Sequence, residues 1–172
     1  MSEAMNSTPN GEKVGCYTDH GVSGYGVAAR LCPEEPISGD RLRQVAEDMM
    51  MNIVDKCMAV GARAIGHIKC FIRTEAGDIR ADSIGQAHGS HSSGTLSHPV
   101  KDIYLTVNSI VQGITESVVR DVTLEGIHEV ADKENLTVVK EKEHLYFDEF
   151  DTVTSEQEYA RQLEAQLAAE EG

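Results

Sequence analysis

Apolar residues recur at three- and four-residue spacings from Asp40 to Val60, where Leu42, Val45, Ala46, Met49, Ile53, Cys57 and Val60 share one side of a helical repeat. Ser38 or Asp40 can cap the start of this helix, and Gly61 is placed to end it. The run Met49-Met50-Met51 suggests a soft-metal site by composition. Only one or two of three consecutive helical residues share a face, however, so the methionines read as core filling.

After Gly61 the repeat changes from helical to alternating. From Ile65 to Arg73, Ile68, Cys70 and Ile72 fall on one face and His67, Lys69 and Phe71 on the other. Glu75-Ala76-Gly77-Asp78 predicts a hairpin turn into a strand over Ile79–Ile84. A third strand over Asp102–Gln112 sets Ile103, Leu105 and Val107 against Tyr104, Thr106 and Asn108, completing a three-stranded meander. A second helix is expected over Glu116–Ala131, with Val118, Val119, Val122, Ile127 and Val130 inward and Thr115 as its N-cap. Leu136–Val139 and Leu145–Phe147 supply the last strand.

The N-terminal region is less regular. Residues 1–12 read as a flexible leader of small polar residues. Val14–Tyr17 and Tyr25–Leu31 fit a hairpin around Asp19-His20-Gly21, although Gly21, Gly24 and Gly26 suit a loop equally well. Pro33 and Pro36 then punctuate the chain before the first helix.

This order of elements predicts an α+β domain over residues 13–150. Its economical form is a two-layer sandwich, a mainly antiparallel sheet covered by two helices. A swapped or repeated ferredoxin-like arrangement fits the same order without being required by it. Beyond the domain, residues 151–172 form an acidic tail in which Ser155 and Glu158 match a capping box. Tyr159, Leu163 and Leu167 then recur every four residues, a narrow apolar stripe on an acidic C-terminal helix. Such a stripe suits docking onto a neighbouring surface, on this chain or another.

Composition narrows the function classes. A net charge of −14 disfavours nucleic acid and anionic membrane surfaces as partners. No apolar run approaches the roughly 20 residues that span a bilayer, and the first residues lack a signal-peptide core. Cys16, Cys32, Cys57 and Cys70 contain no Cys-x-x-Cys pair. These features together predict a cytoplasmic protein with reduced thiols.

Two constellations carry candidate chemistry. The tract Gly85–Pro99 is rich in Ser and Gly and holds His88, His91 and His98. Three imidazoles can ligate a divalent transition metal such as zinc, or nickel or cobalt, but the spacing matches no zinc signature. Cys16, Asp19, His20 and Cys32 lie among the N-terminal glycines, where Cys16 and His20 would pair as nucleophile and base only if the fold joined them. His67 and Cys70, close in sequence, point to opposite sides of a strand. Cys57 and Cys70 fall on core faces, where a thiol is inert.

Two functions are compatible with this reading. One is a non-enzymatic accessory or interaction protein that self-associates or docks on a larger assembly through the sheet's second face and the C-terminal helix, engaging a protein partner through Tyr159, Leu163 and Leu167. The other is a small metal- or ligand-dependent enzyme built around the histidine loop over residues 85–99.

Overall fold

The computed structural model describes residues 21–144 together with Arg161, Glu164, Ala165, Ala168 and Ala169, with Lys140 and His144 described by their backbone alone. The elements run β1 (Val22–Pro33), α1 (Gly39–Ala59), β2 (Ala64–Thr74), β3 (Gly77–Ser83), β4 (Ser90–Gly94), β5 (Ile103–Gln112), α2 (Glu116–Lys133) and β6 (Leu136–His144). A short 3-10 turn over Gln86–His88 links β3 to β4.

The strands form one sheet in the order β4-β3-β2-β5-β1-β6, and every neighbouring pair is antiparallel. Both helices cover the same face. α1 packs on β2, β3 and β4, α2 packs on β1, β5 and β6, and the two helices touch each other. This is the expected α+β sandwich. Without the β3–β4 hairpin, the remaining β-α-β-β-α-β order is the split arrangement of ferredoxin-like folds. The hairpin extends that sheet beside β2.

Alternation decides which residues meet the helices. Tyr25, Val27, Ala29 and Leu31 of β1 are buried in one continuous cluster with Ile68, Cys70 and Ile72 of β2 and Ile103, Leu105, Val107 and Val111 of β5. α1 contributes Leu42, Val45, Met49, Met50, Ile53 and Cys57, while α2 contributes Val119, Val122, Ile127 and Val130. Met51 is partly buried against this core, so the three methionines do pack. A polar pair sits inside the layer. The Thr123 hydroxyl donates to Ser109 Oγ at 2.9 Å, so neither buried hydroxyl is left without a partner.

The helix ends follow the sequence signals. Ser38 is the N-cap of α1 and its hydroxyl accepts from the Arg41 amide. Gly61 takes a φ of 100° just beyond the C-cap, a conformation that favours glycine. Thr115 occupies the N-cap of α2, but its side chain makes no capping bond and meets the Ser117 hydroxyl instead.

Several sequence expectations change. β1 is a long interior strand that includes Gly24 and Gly26, with β5 on one side and β6 on the other. Val14–Tyr17, the other arm of the expected hairpin, lies outside the described residues, as do Asp19 and His20. The meander has a different neighbour order, because β5 pairs with β2 rather than following β3. The histidine tract is not wholly a loop, since Ser90–Gly94 forms edge strand β4. Its helix-side positions are Ser and Gly rather than apolar residues, which hides the strand from a hydrophobic pattern. β6 runs to His144, past the expected Val139, while Leu145–Phe147 lies outside the described residues. Among the described residues, no helix is long and apolar enough to cross a membrane.

Candidate interaction surface

The second face of the sheet, opposite the helices, is set by the same alternation. Pairing register places Arg30, Tyr104, Arg73 and Asp78 in one row across β1, β5, β2 and β3. The next row runs Lys142, Ala28, Thr106, Phe71, Arg80 and Ser93 from β6 to β4. The row after it holds Gly26, Asn108, Lys69, Asp82 and His91. Five cationic side chains thus stand on one face of a strongly acidic protein.

These cations are held in place. Arg30 makes two hydrogen bonds to Asp102, Nε to Oδ1 at 2.8 Å and Nη2 to Oδ2 at 2.9 Å. This two-pronged geometry fixes the plane of the guanidinium, which lies 5.8 Å from the centre of the Tyr104 ring. Phe71 is flanked by two guanidiniums, Arg73 at 5.7 Å and Arg80 at 5.4 Å from its ring centre. Each such stack is worth about 0.5–1 kcal/mol at a partly exposed site and orients the cation.

Arg73 connects this face to the C-terminal segment. Its Nη1 lies 3.4 Å from Glu164 Oε2, while its Nε lies 3.6 Å from Asp78 Oδ1. The side chains of Arg73 and Glu164 are only 19% and 24% exposed, so the contact is partly removed from water. Burial raises the Glu164 carboxyl above its ordinary range, with nearby Asp78 acting in the same direction, and Arg73 only partly offsets this. Desolvation outweighs the attraction, so the pair contributes more to register than to net affinity. Arg161, Glu164, Ala165, Ala168 and Ala169 are each helical. Tyr159, Leu163 and Leu167 lie outside the described residues.

The histidines are spread along the hairpin. His88 sits in the 3-10 turn beyond β3, and His91 lies on β4 opposite Asp82. His98 stands beside the turn that precedes β3, with Nε2 at 3.4 Å from Glu75 and Nδ1 at 3.1 Å from the Ser97 hydroxyl. Between His88 and His98 runs the seven-residue β3, a length of roughly 20 Å at about 3.4 Å per residue. All three are exposed. Among the described residues, no group of three or more His, Cys, Asp or Glu side chains could hold a metal ion.

The cysteines divide by face. Cys57 and Cys70 are buried, and burial pushes their thiols up to about 11 and about 12 respectively. Asp82 adds to the Cys70 shift, against a hydrogen bond with the Ala81 backbone. Cys32 lies on the second face of β1 and is half-buried. Cys16, Asp19 and His20 lie outside the described residues. Register also puts His67 and Cys70 on opposite faces, as alternation requires.

The sequence pattern placed Lys69, Phe71 and Tyr104 on the second face of their strands, and that face was expected to dock, but no single residue on it was assigned a role. The available signal was the residue type: aromatic and Arg side chains stand at positions where a purely solvated face would carry small polar ones. Comparison with protein-family models, curated proteins and solved structures gives no match to this chain. The functional reading therefore rests on the surface itself.

Proposed function

We propose that this chain is a non-enzymatic accessory or interaction protein that self-associates or docks on a larger assembly through the second face of its sheet. One observation carries the reading: Arg73, standing on that face, meets Glu164 of the C-terminal segment in a partly buried ion pair. The chemistry around it supports the same conclusion. Tyr, Phe and Arg are the residue types enriched at protein interfaces, and here guanidiniums stack on Phe71 and Tyr104. Aromatic rings add contact area at little entropic cost, and fixed guanidiniums select the partner's carboxylates.

The test compares the full chain with one ending at Thr152 and with an Arg73→Glu variant. Mass by light scattering and the proteins retained at increasing salt are measured for each. The reading expects both changes to alter self-association or partner retention, with retention weakening as salt rises. Identical mass and identical partners in all three proteins would overturn it.

A further inference from the structure

We propose that the second sheet face is a receptor for an acidic amphipathic helix, and that its resident ligand is the chain's own segment 153–172, bound in cis and exchangeable for a similar helix in trans. This inference rests on the interaction reading above and names the occupant of the same surface.

Charge complementarity is the first argument. Residues 153–172 contain five acidic residues and one basic residue, in a chain of net charge −14. The opposing face presents Arg30, Lys69, Arg73, Arg80 and Lys142 by register. Three carboxylates lie among them: Asp102 engages Arg30, Asp78 approaches Arg73, and Asp82 pairs in register with Lys69. The surface keeps a cationic excess where the rest of the protein repels acid.

Contact and reach are the second and third. The Arg73–Glu164 pair already joins one residue of the segment to the face, at its end nearest the β2–β3 turn. In a helical repeat the position of Glu164 lies three residues before Leu167, so the carboxylate that meets Arg73 flanks the apolar stripe. From His144, the end of β6, to Arg73 is three strand spacings across and about four residues along, roughly 20 Å in all. Sixteen residues separate His144 from Arg161, and that length of chain can extend to about 50 Å. Cis docking needs no strain.

Shape is the fourth argument. Gly24, Gly26 and Ala28 occupy the second-face positions of interior strand β1, between the larger side chains of its neighbours. Small residues there allow another backbone to come close. A tethered segment of this length holds an effective concentration in the millimolar range, so a free helix binds only when it displaces the tail or the tail is absent.

The test uses a fluorescent synthetic peptide of residues 153–172 as the probe. All described members of the core cluster lie between Tyr25 and Leu136, so a chain ending at Thr152 keeps its core, and circular dichroism checks that it is folded. The expected result is that this shortened chain binds the peptide while the full chain binds it at least about tenfold more weakly. Arg73→Glu in the shortened chain weakens binding about tenfold or more, through a partly buried like-charge contact. A Glu164→Arg peptide recovers that loss on the Arg73→Glu chain, which a merely misfolded variant would not allow.

Other outcomes are decisive in different ways. A full chain that is dimeric and becomes monomeric on deletion means the segment docks on a second copy, which overturns cis binding and leaves the interaction reading intact. A folded shortened chain that ignores the peptide overturns the receptor proposal, even if partner retention changes. Peptide binding by the shortened chain but not the full chain, where the full chain neither self-associates nor retains partners, upholds the proposal and refutes the interaction reading.

Discussion

Gly126 lies inside α2, where glycine costs about 1 kcal/mol relative to alanine. Replacing it with alanine should therefore stabilise the protein if propensity alone acted. The structure predicts the reverse. A Cβ at position 126 would sit 2.6 Å from Ile53 Cγ1 and 3.3 Å from both the Cα and N of Ile53 on α1. Carbon atoms rest at about 3.5–4.0 Å, so the new methyl group falls short of contact distance by about 1 Å. Ile53 is fully buried, and a β-branched side chain in a helix has one strongly preferred χ1 rotamer. Relief must come from forcing that rotamer or from parting the helices, an overpacking cost of about 1–3 kcal/mol. Against the gain in propensity, Gly126→Ala should lose up to about 2 kcal/mol. Urea unfolding followed by circular dichroism should show a lower midpoint with an unchanged slope. Thermal unfolding should fall by up to roughly 8 °C for a domain of this size. Ile53→Ala removes the opposing atom, so the double variant should cost about 1 kcal/mol or more less than the sum of the singles. A Gly126→Ala protein more stable than the parent would refute the tight helix crossing.

Leu105→Ala should cost about 2–5 kcal/mol, because Leu105 is a fully buried member of the core cluster; a loss under 1 kcal/mol in urea titration would contradict that packing. Cys57 and Cys70 should react with a thiol reagent only at the rate of unfolding, and half-buried Cys32 faster, as mass spectrometry of native labelling would report. The same thiols set an alkaline limit. Their folded values of about 11 and about 12 exceed the ordinary 9.0, so their contribution is complete below pH 9 and is lost as pH rises towards those values. Tyr25, raised by burial, acts in the same direction; flat stability across this range would count against burial of these groups. Replacing His88, His91 and His98 together by alanine should change stability by less than about 0.5 kcal/mol, since all three are exposed. Zinc found by elemental analysis in the parent and lost in the triple variant would instead make the tract a metal centre.

The two long helices and strands β2, β3 and β5 could be read from the chain because their apolar residues keep one period from end to end. Ser38 and Gly61 mark α1 for the same local reason. β1 was obscured by Gly24 and Gly26, which weaken a strand signal although both are buried in the sheet. β4 was hidden because its inward position Ser92 bonds Glu47 on α1 instead of filling a core. The far half of β6 carries Glu141 and Glu143, which pair with His128 and Arg120 on α2. A charged strand edge of this kind gives no hydrophobic alternation to detect. The candidate surface was legible only in parts. Phe71 and Arg73 could be assigned to neighbouring strand positions, but Arg80 stacking on Phe71 and Arg30 stacking on Tyr104 are relations between strands, fixed by register and not by spacing along the chain. Glu164 meeting Arg73 spans ninety-one positions, which no local pattern encodes.

The hairpin added beside β2 divides its residues between two unequal duties. Toward α1 it is constrained: Ser92 meets Glu47, the Gly94 carbonyl accepts from Arg43, and the Ser83 hydroxyl lies against Met51 sulfur. Removing the hairpin would leave α1, at 21 residues, overhanging a narrower sheet with part of its apolar side in water. Helix length and sheet width can therefore change only together. The outward positions, Asp78, Arg80, Asp82 and His91, carry no such obligation. Substitution there can retune charge at the rim of the sheet's second face while the register beneath stays fixed, changing that surface without altering how the protein folds.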